Sequence, residues 1–220
     1  MMYFKKIFAS LSTRNLVLLQ ARNINCWSCG KDTTLVANLF CSNCKTLQKP
    51  DNVENYFKLM GVDESYDLDE EDLSKRYKQL QRYLHPDKYA NRNEMEQEIS
   101  AKYSSLVNEA YRTLLEPLPR GIYMLKLRGK QIEENMETDP AFLMEIMEKN
   151  EEVENAETEA EIMKLNKEIK LIIQDLQKRL STAFFDGDMK NVMKLLGQMK
   201  YYSSIYNQIQ NSIRNKGIIR

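Results

Sequence analysis

The sequence predicts an all-α protein: a helical hairpin, then an antiparallel three-helix bundle, with a small cysteine-bearing β-hairpin near the N-terminus. Three observations predict it. Glycine and proline number only 7 and 5 in 220 residues, too few for the turns of a β-rich chain. From Leu73 onward, apolar residues recur at steps of three and four, the period of an amphipathic helix. All four cysteines fall between Cys26 and Cys44, as two C-x2-C pairs separated by eleven residues. The formal net charge is zero, which disfavours a general polyanion binder.

The first segment, MMYFKKIFASLSTRNLVLLQARN, carries Lys5, Lys6, Arg14 and Arg22 and no acid; the first acid of the chain is Asp32. With Ser10, Ser12 and Thr13, this is the composition of a mitochondrial transit peptide, expected over 1–24. It contains no long uncharged core, which argues against a secretory signal or a membrane span. A merely basic, unstructured N-terminus is the plainer alternative.

The second segment, 25–47, holds CWSCG and FCSNC. Each C-x2-C forms a knuckle, and the intervening KDTTLVANLF is short and β-branched, as a hairpin joining two knuckles would be. So short a segment cannot build its own apolar core, and metal binding would supply its folding energy. The expected group is one structural zinc on Cys26, Cys29, Cys41 and Cys44. Iron in the same cage and a pair of disulfides are the alternatives. A reader of nucleic acid is disfavoured, because KDTTLVANLF has a single base, Lys31.

The third segment, 53–128, opens with NYFKLMG. Leu73, Tyr77, Leu80 and Leu84 then form one stripe of a helix starting near Leu68, with Lys75, Lys78 and Arg82 on the opposite side. Pro86 lacks an N–H and disfavours helical geometry at His85, the only histidine, so the helix ends there. Asn93 is an N-cap with Glu96 three residues on, and Ile99, Tyr103, Leu106, Ala110 and Leu114 make a second stripe. The His85-Pro86-Asp87 triplet therefore sits in a loop of about eight residues between antiparallel helices, and the unit is expected to end near LLEPLPRG. No Ser/His/Asp set, metal cluster or phosphate-cradling glycine loop surrounds His85, so no catalytic residue is expected.

From Asn55 to Glu116 this arrangement resembles a J domain of the DnaJ class. The resemblance implies docking on a DnaK-type chaperone and triggering of its ATP hydrolysis. Lys75, Lys78 and Arg82 would steer the encounter, Pro86 would hold the loop, and Asp87, beside His85, would accept from a partner arginine.

The last segment, 129–220, continues in helices. Asp139 is an N-cap with Pro140 at the first helical position, and Phe142, Ile146 and Val153 share one face. Leu143, Met144 and Met147 lie outside that face, beside Glu148, Glu151 and Asn155. Such a surplus apolar patch is either a binding surface or is covered by another part of the chain. Between Glu133 and Glu161 there are twelve acids and one base, Lys149. Ile162, Leu165, Ile169, Ile172, Leu176, Leu180 and Ala183 mark a second helix. A turn at Asp186 to Asp188 leads to a third, marked by Val192, Leu195 or Leu196, Met199, Tyr202, Ile205 or Tyr206 and Ile209.

VNEAYRTLLEPLPRGIYMLKLRG and DPAFLMEIMEKNEEVENA are similar to the HscB family, J-domain co-chaperones of iron–sulfur cluster assembly. The leader and the four cysteines resemble those of its animal mitochondrial members. The resemblance implies that the bundle binds an IscU-type scaffold through Leu143, Met144, Met147, Glu148, Glu151, Asn155 and Tyr201, and that the J domain delivers it to the mitochondrial DnaK-type chaperone. Asn155 stands where the bacterial pattern has an acid, and Tyr201 where it has phenylalanine. A non-enzymatic adaptor of the mitochondrial matrix follows, with a cytosolic pool and self-association left open, and with neither nucleic acid nor membrane as partner. A general J-domain co-chaperone for unfolded clients is the alternative.

Overall fold

The computed structural model describes residues 24–33, 35–36, 39–49, 55–132 and 139–215. Almost all of the expected leader lies outside them; Ile24 is already in a strand, paired with Thr33. The chain divides into two compact units, Met1–Lys49 and Pro50–Arg220. The fold is all-α apart from the first unit.

In that unit, β1 (Ile24–Asn25) pairs antiparallel with β2 (Asp32–Thr33), and β3 (Leu35–Val36) with β4 (Phe40–Cys41). Each pair brackets or abuts one knuckle. Among the residues of this unit whose burial is described, Leu39 and Leu47 are buried beside Cys26 and Cys41.

The second unit begins with α1 (Tyr56–Met60), capped by the Asn55 side chain and ended by Gly61 in the left-handed region. Helix α2 (Glu70–Leu84) starts from the Asp69 cap with Glu70, Glu71 and Asp72 in its first turn, where acids suit the helix dipole. Helix α3 (Glu94–Leu115) starts from Asn93 as expected. Leu73 and Leu84 of α2 and Ile99, Tyr103, Val107, Ala110 and Leu114 of α3 are buried, and Phe57 and Met60 of α1 close the same core.

The helices do not stop at LLEPLPRG. After Glu116 the chain turns directly into α4 (Pro117–Leu127). Pro117 and Pro119 occupy the first turn, where an N–H would have no helical partner anyway, so they start this helix rather than stop one. Arg120 and Gly121 are buried within it.

Helices α5 (Pro140–Asn155), α6 (Glu159–Asp186) and α7 (Met189–Asn215) make the bundle. Thr158 and Glu161 cap α6 reciprocally, and Gly187, with φ of 73°, makes the turn into α7. The anticipated seam residues are buried except Ile172 and Tyr206, which are half-buried; Leu195 and Leu196 are both inside.

The J-type helices and the bundle share a packed seam. Tyr66 stacks on Phe184 with ring centroids 5.2 Å apart. The Arg120 guanidinium lies 5.1 Å from the Tyr66 ring centre and that of Arg128 5.4 Å from Phe184. Ser181 donates to Asp67, and α4 presses on α7 at Gly121 and Leu196.

Candidate functional sites: a loop, a helix face and a thiolate cage

The sequence-predicted residues fall into three separate places. The first is the loop after α2. His85 is extended (φ −61°, ψ 128°), as a residue before proline should be, and its N–H still donates to Gln81 O at 3.0 Å. Pro86–Tyr89 form a 3-10 turn. His85 Nδ1 accepts the Asp87 N–H at 3.3 Å and stands 3.4 Å from Asp87 Oδ2. The imidazole thereby caps the turn, while the Asp87 side chain is 88% exposed. Lys75, Lys78 and Arg82 are all exposed on α2. Lys75 has only a 3.8 Å contact with exposed Glu71, so the face keeps its positive charge.

What holds this loop in place was not anticipated. Tyr77 OH and Gln81 Nε2 both donate to Asn108 Oδ1, at 2.9 and 2.8 Å, and Ser104 Oγ donates to Gln81 Oε1 at 3.0 Å. Ser100 Oγ, fully buried, donates to Leu84 O at 2.8 Å. Beyond the loop, Gln97 Nε2 donates to Ala90 O and Arg92 O. Tyr89 is buried beneath the loop, its hydroxyl on Tyr83 O. A polar zipper between α2 and α3 therefore registers the triplet. Its sequence signal is the spacing of Ser100, Ser104 and Asn108, polar residues four apart beside an apolar stripe.

The second place is the outer face of α5. Phe142 meets Tyr201 and Tyr202 edge-on, at 5.7 and 5.9 Å, and Ile146 is buried. Glu145 accepts from Tyr202 OH, and that hydroxyl's pKa is raised by burial and by the carboxylate it bonds. The opposite face is uncovered among the described residues. Met144 and Met147 are 65% and 64% exposed, and Leu143, Glu148, Glu151 and Asn155 are exposed on the same side. Tyr201, on α7, is exposed and meets Phe142 of α5 edge-on. Lys149 does not neutralise this face. It turns inward and bonds Glu168 of α6 at 2.7 Å and Glu152 at 3.0 Å, and the Glu168 carboxylate holds its pKa above the usual lysine value.

The third place is the cysteine module. The four Sγ atoms lie within 4.8 Å of one another. Cys26 and Cys44 are 3.5 Å apart and Cys29 and Cys41 3.9 Å. A tetrahedral Zn–S bond of about 2.3 Å implies a sulfur–sulfur edge of about 3.8 Å, so the cage fits the ion. Disulfides would need about 2.05 Å. The two knuckles repeat each other. Ser28 N and Cys29 N point at Cys26 Sγ, and Asn43 N and Cys44 N at Cys41 Sγ, all at 3.4–3.5 Å. Gly30 N bonds Cys26 O and Lys45 N bonds Cys41 O. Gly30 and Lys45 hold φ of 67° and 59°; glycine does so freely, whereas Lys45 carries strain. Burial pushes the Cys26 thiol up, and hydrogen bonding from Thr46 brings Cys44 down.

Comparison with known proteins agrees with this geometry. The DnaJ domain profile matches residues 55–123, and that of the HSCB C-terminal oligomerisation domain matches 138–210. The mouse protein named iron–sulfur cluster co-chaperone protein HscB is 39% identical over 191 residues, spanning 85% of this chain and 82% of its own length. The human protein of that name is 40% identical over 189 residues, spanning 84% and 80%. The crystal structure of human co-chaperone protein HscB superposes with a TM-score of 0.80 at 39% identity, covering 86% of this chain and 98% of that one.

Proposed function

Because this chain belongs to the HscB family of J-domain co-chaperones of iron–sulfur cluster assembly, we propose that it is a two-faced adaptor. It binds an IscU-type scaffold on α5 and α7 and presents it to a mitochondrial DnaK-type chaperone through α2 and the His85-Pro86-Asp87 loop. The observation that carries this reading is the pairing of two exposed, chemically different faces on one compact unit. One is basic and ends in a charged acceptor; the other is apolar with an acidic rim.

Each role follows from exposure and chemistry. Asp87 offers an uncovered carboxylate to a partner guanidinium, and its backbone is already held by His85 Nδ1. Lys75, Lys78 and Arg82 draw an acidic chaperone surface by long-range attraction. Leu143, Met144 and Met147 supply apolar contact, the methionines adapting their shape to the scaffold. Glu148, Glu151, Asn155 and Tyr201 complete the rim. The contacts are modest in area and transient, as a delivery step requires. The protein performs no chemistry itself; ATP hydrolysis belongs to the chaperone and the cluster to the scaffold. The cage of Cys26, Cys29, Cys41 and Cys44 holds one zinc, closed by four sulfurs and structural. The acid-free N-terminus directs the protein to the mitochondrial matrix.

A separation-of-function pair tests the proposal. Asp87→Ala abolishes stimulation of the chaperone ATPase and leaves scaffold affinity unchanged. Leu143→Ala with Met147→Ala weakens scaffold binding roughly 10-fold or more, while basal stimulation of the chaperone persists. Equal loss of both activities in either variant contradicts two independent faces.

A further inference from the structure

One buried polar side chain beside the thiolate cage has no place in the C-x2-C pattern. Gln48 is 3% exposed and lies 22 residues from Cys26 in the chain. Its Nε2 donates to Thr46 O at 2.8 Å and to Cys26 Sγ at 3.3 Å. A carbonyl and a thiolate both accept only, so the amide nitrogen, not the oxygen, faces them. The segment that carries Gln48 is itself pinned. Gln48 N donates to Leu39 O at 2.8 Å, and Trp27 Nε1 donates to Leu47 O at 2.8 Å. The chain after the second knuckle thus folds back over the first and delivers a third N–H to Cys26 Sγ, besides those of Ser28 and Cys29.

Four thiolates on a divalent ion leave a net negative centre in a partly buried site. Each N–H donated to sulfur spreads that charge, lowers the sulfur's electron donation and makes ligand loss harder. The backbone donors belong to any such knuckle. The Gln48 donor is specific to this chain's tertiary arrangement and acts on a buried sulfur.

We propose that Gln48 is a positioning residue of the metal site, whose amide N–H on Cys26 Sγ keeps the first knuckle closed and sets how readily the ion leaves. The inference rests on the reading that the four cysteines bind a metal.

The test uses the full chain loaded with Co(II) as a spectroscopic probe and with zinc for exchange. Gln48→Leu removes the donor at similar volume, and Gln48→Glu replaces it with a like charge facing the sulfur. Trp27→Phe removes the Leu47 contact but leaves Gln48, as a control for loosened packing. In both Gln48 variants the sulfur-to-cobalt charge-transfer band moves to longer wavelength. Zinc transfer to a chromophoric chelator accelerates roughly 10- to 100-fold, most for Gln48→Glu. Loss of the four-sulfur spectrum in Gln48→Glu with its retention in Trp27→Phe gives the same support. An unchanged band and transfer rate in both Gln48 variants overturns the proposal, as does Trp27→Phe reproducing their band shift. A wild-type chain that gives no four-sulfur Co(II) spectrum refutes the metal reading itself.

Discussion

Gly121→Ala probes the seam between the J-type helices and the bundle. In an isolated helix the substitution is favourable by about 0.8–1 kcal/mol, because alanine loses less backbone entropy. Here a Cβ on Gly121 would lie 2.5 Å from Leu196 Cδ2 and 3.3 Å from Tyr66 Cε2. Carbon atoms rest about 3.5–4.0 Å apart, so the methyl is too close to Leu196 by about 1 Å or more. Leu196 is 0% exposed and Tyr66 nearly so, which leaves neither an easy retreat. Overpacking of this kind costs about 1–3 kcal/mol. With the helix gain subtracted, and the upper half of that range favoured by the burial of both neighbours, the variant loses about 1–2 kcal/mol. Urea denaturation followed by the helical circular dichroism signal measures the loss, and melting falls by about 2–4 °C per kcal/mol in a chain of this size. Leu196→Ala alone costs about 2–5 kcal/mol, but in the double variant the two changes compensate by 1 kcal/mol or so. A stabilised Gly121→Ala protein with no coupling to Leu196 would refute the claim that α4 packs against α7.

Three further outcomes are expected. Lys78→Ala with Arg82→Ala slows association with the chaperone several-fold at low salt, and stopped-flow binding shows the deficit shrinking as salt rises toward roughly 0.5 M. Lys149→Met lowers stability by about 1 kcal/mol at neutral pH, since the side chain, 17% exposed, joins α5 to Glu168 of α6 through its ammonium. The Lys149 pKa is raised in the fold, so its contribution is full below the ordinary lysine value of 10.5 and disappears as pH rises through the folded value. The gap between wild type and Lys149→Met in urea midpoints should therefore close above that pH. Chelation of the proposed metal makes Cys26, Cys29, Cys41 and Cys44 reactive to a thiol reagent and leaves the helical signal intact, because the helices among the described residues all lie between Tyr56 and Asn215.

Much of this architecture was legible because local chemistry and global fold agree. Asn93, and Asp139 with Pro140, announced helix starts that the structure keeps. The three-four seams of α6 and α7 predicted buried residues almost one for one. The C-x2-C spacing predicted the cage, since a knuckle needs only its own five residues. Helix α4 was not legible, because Pro117, Pro119 and Gly121 read locally as a stop. The prolines are tolerated by their place in the first turn, and the glycine is required by Leu196, a tertiary neighbour 75 residues on. The closure of Gln48 over Cys26 was hidden for the same reason. The polar zipper shows in the sequence only as the four-residue spacing of Ser100, Ser104 and Asn108, and nothing in that spacing names Gln81, on another helix, as the partner.

The central claim is that one compact body carries two docking faces and couples them. Single-turnover ATP hydrolysis by the mitochondrial DnaK-type chaperone tests it most directly, with this protein alone, with the scaffold alone, and with both. A rate well above the sum of the two, abolished by Asp87→Ala and reduced to the protein-alone rate by Leu143→Ala with Met147→Ala, is the predicted result. Stimulation by this protein that the scaffold leaves unchanged would contradict the account and favour a J-domain co-chaperone of general clients.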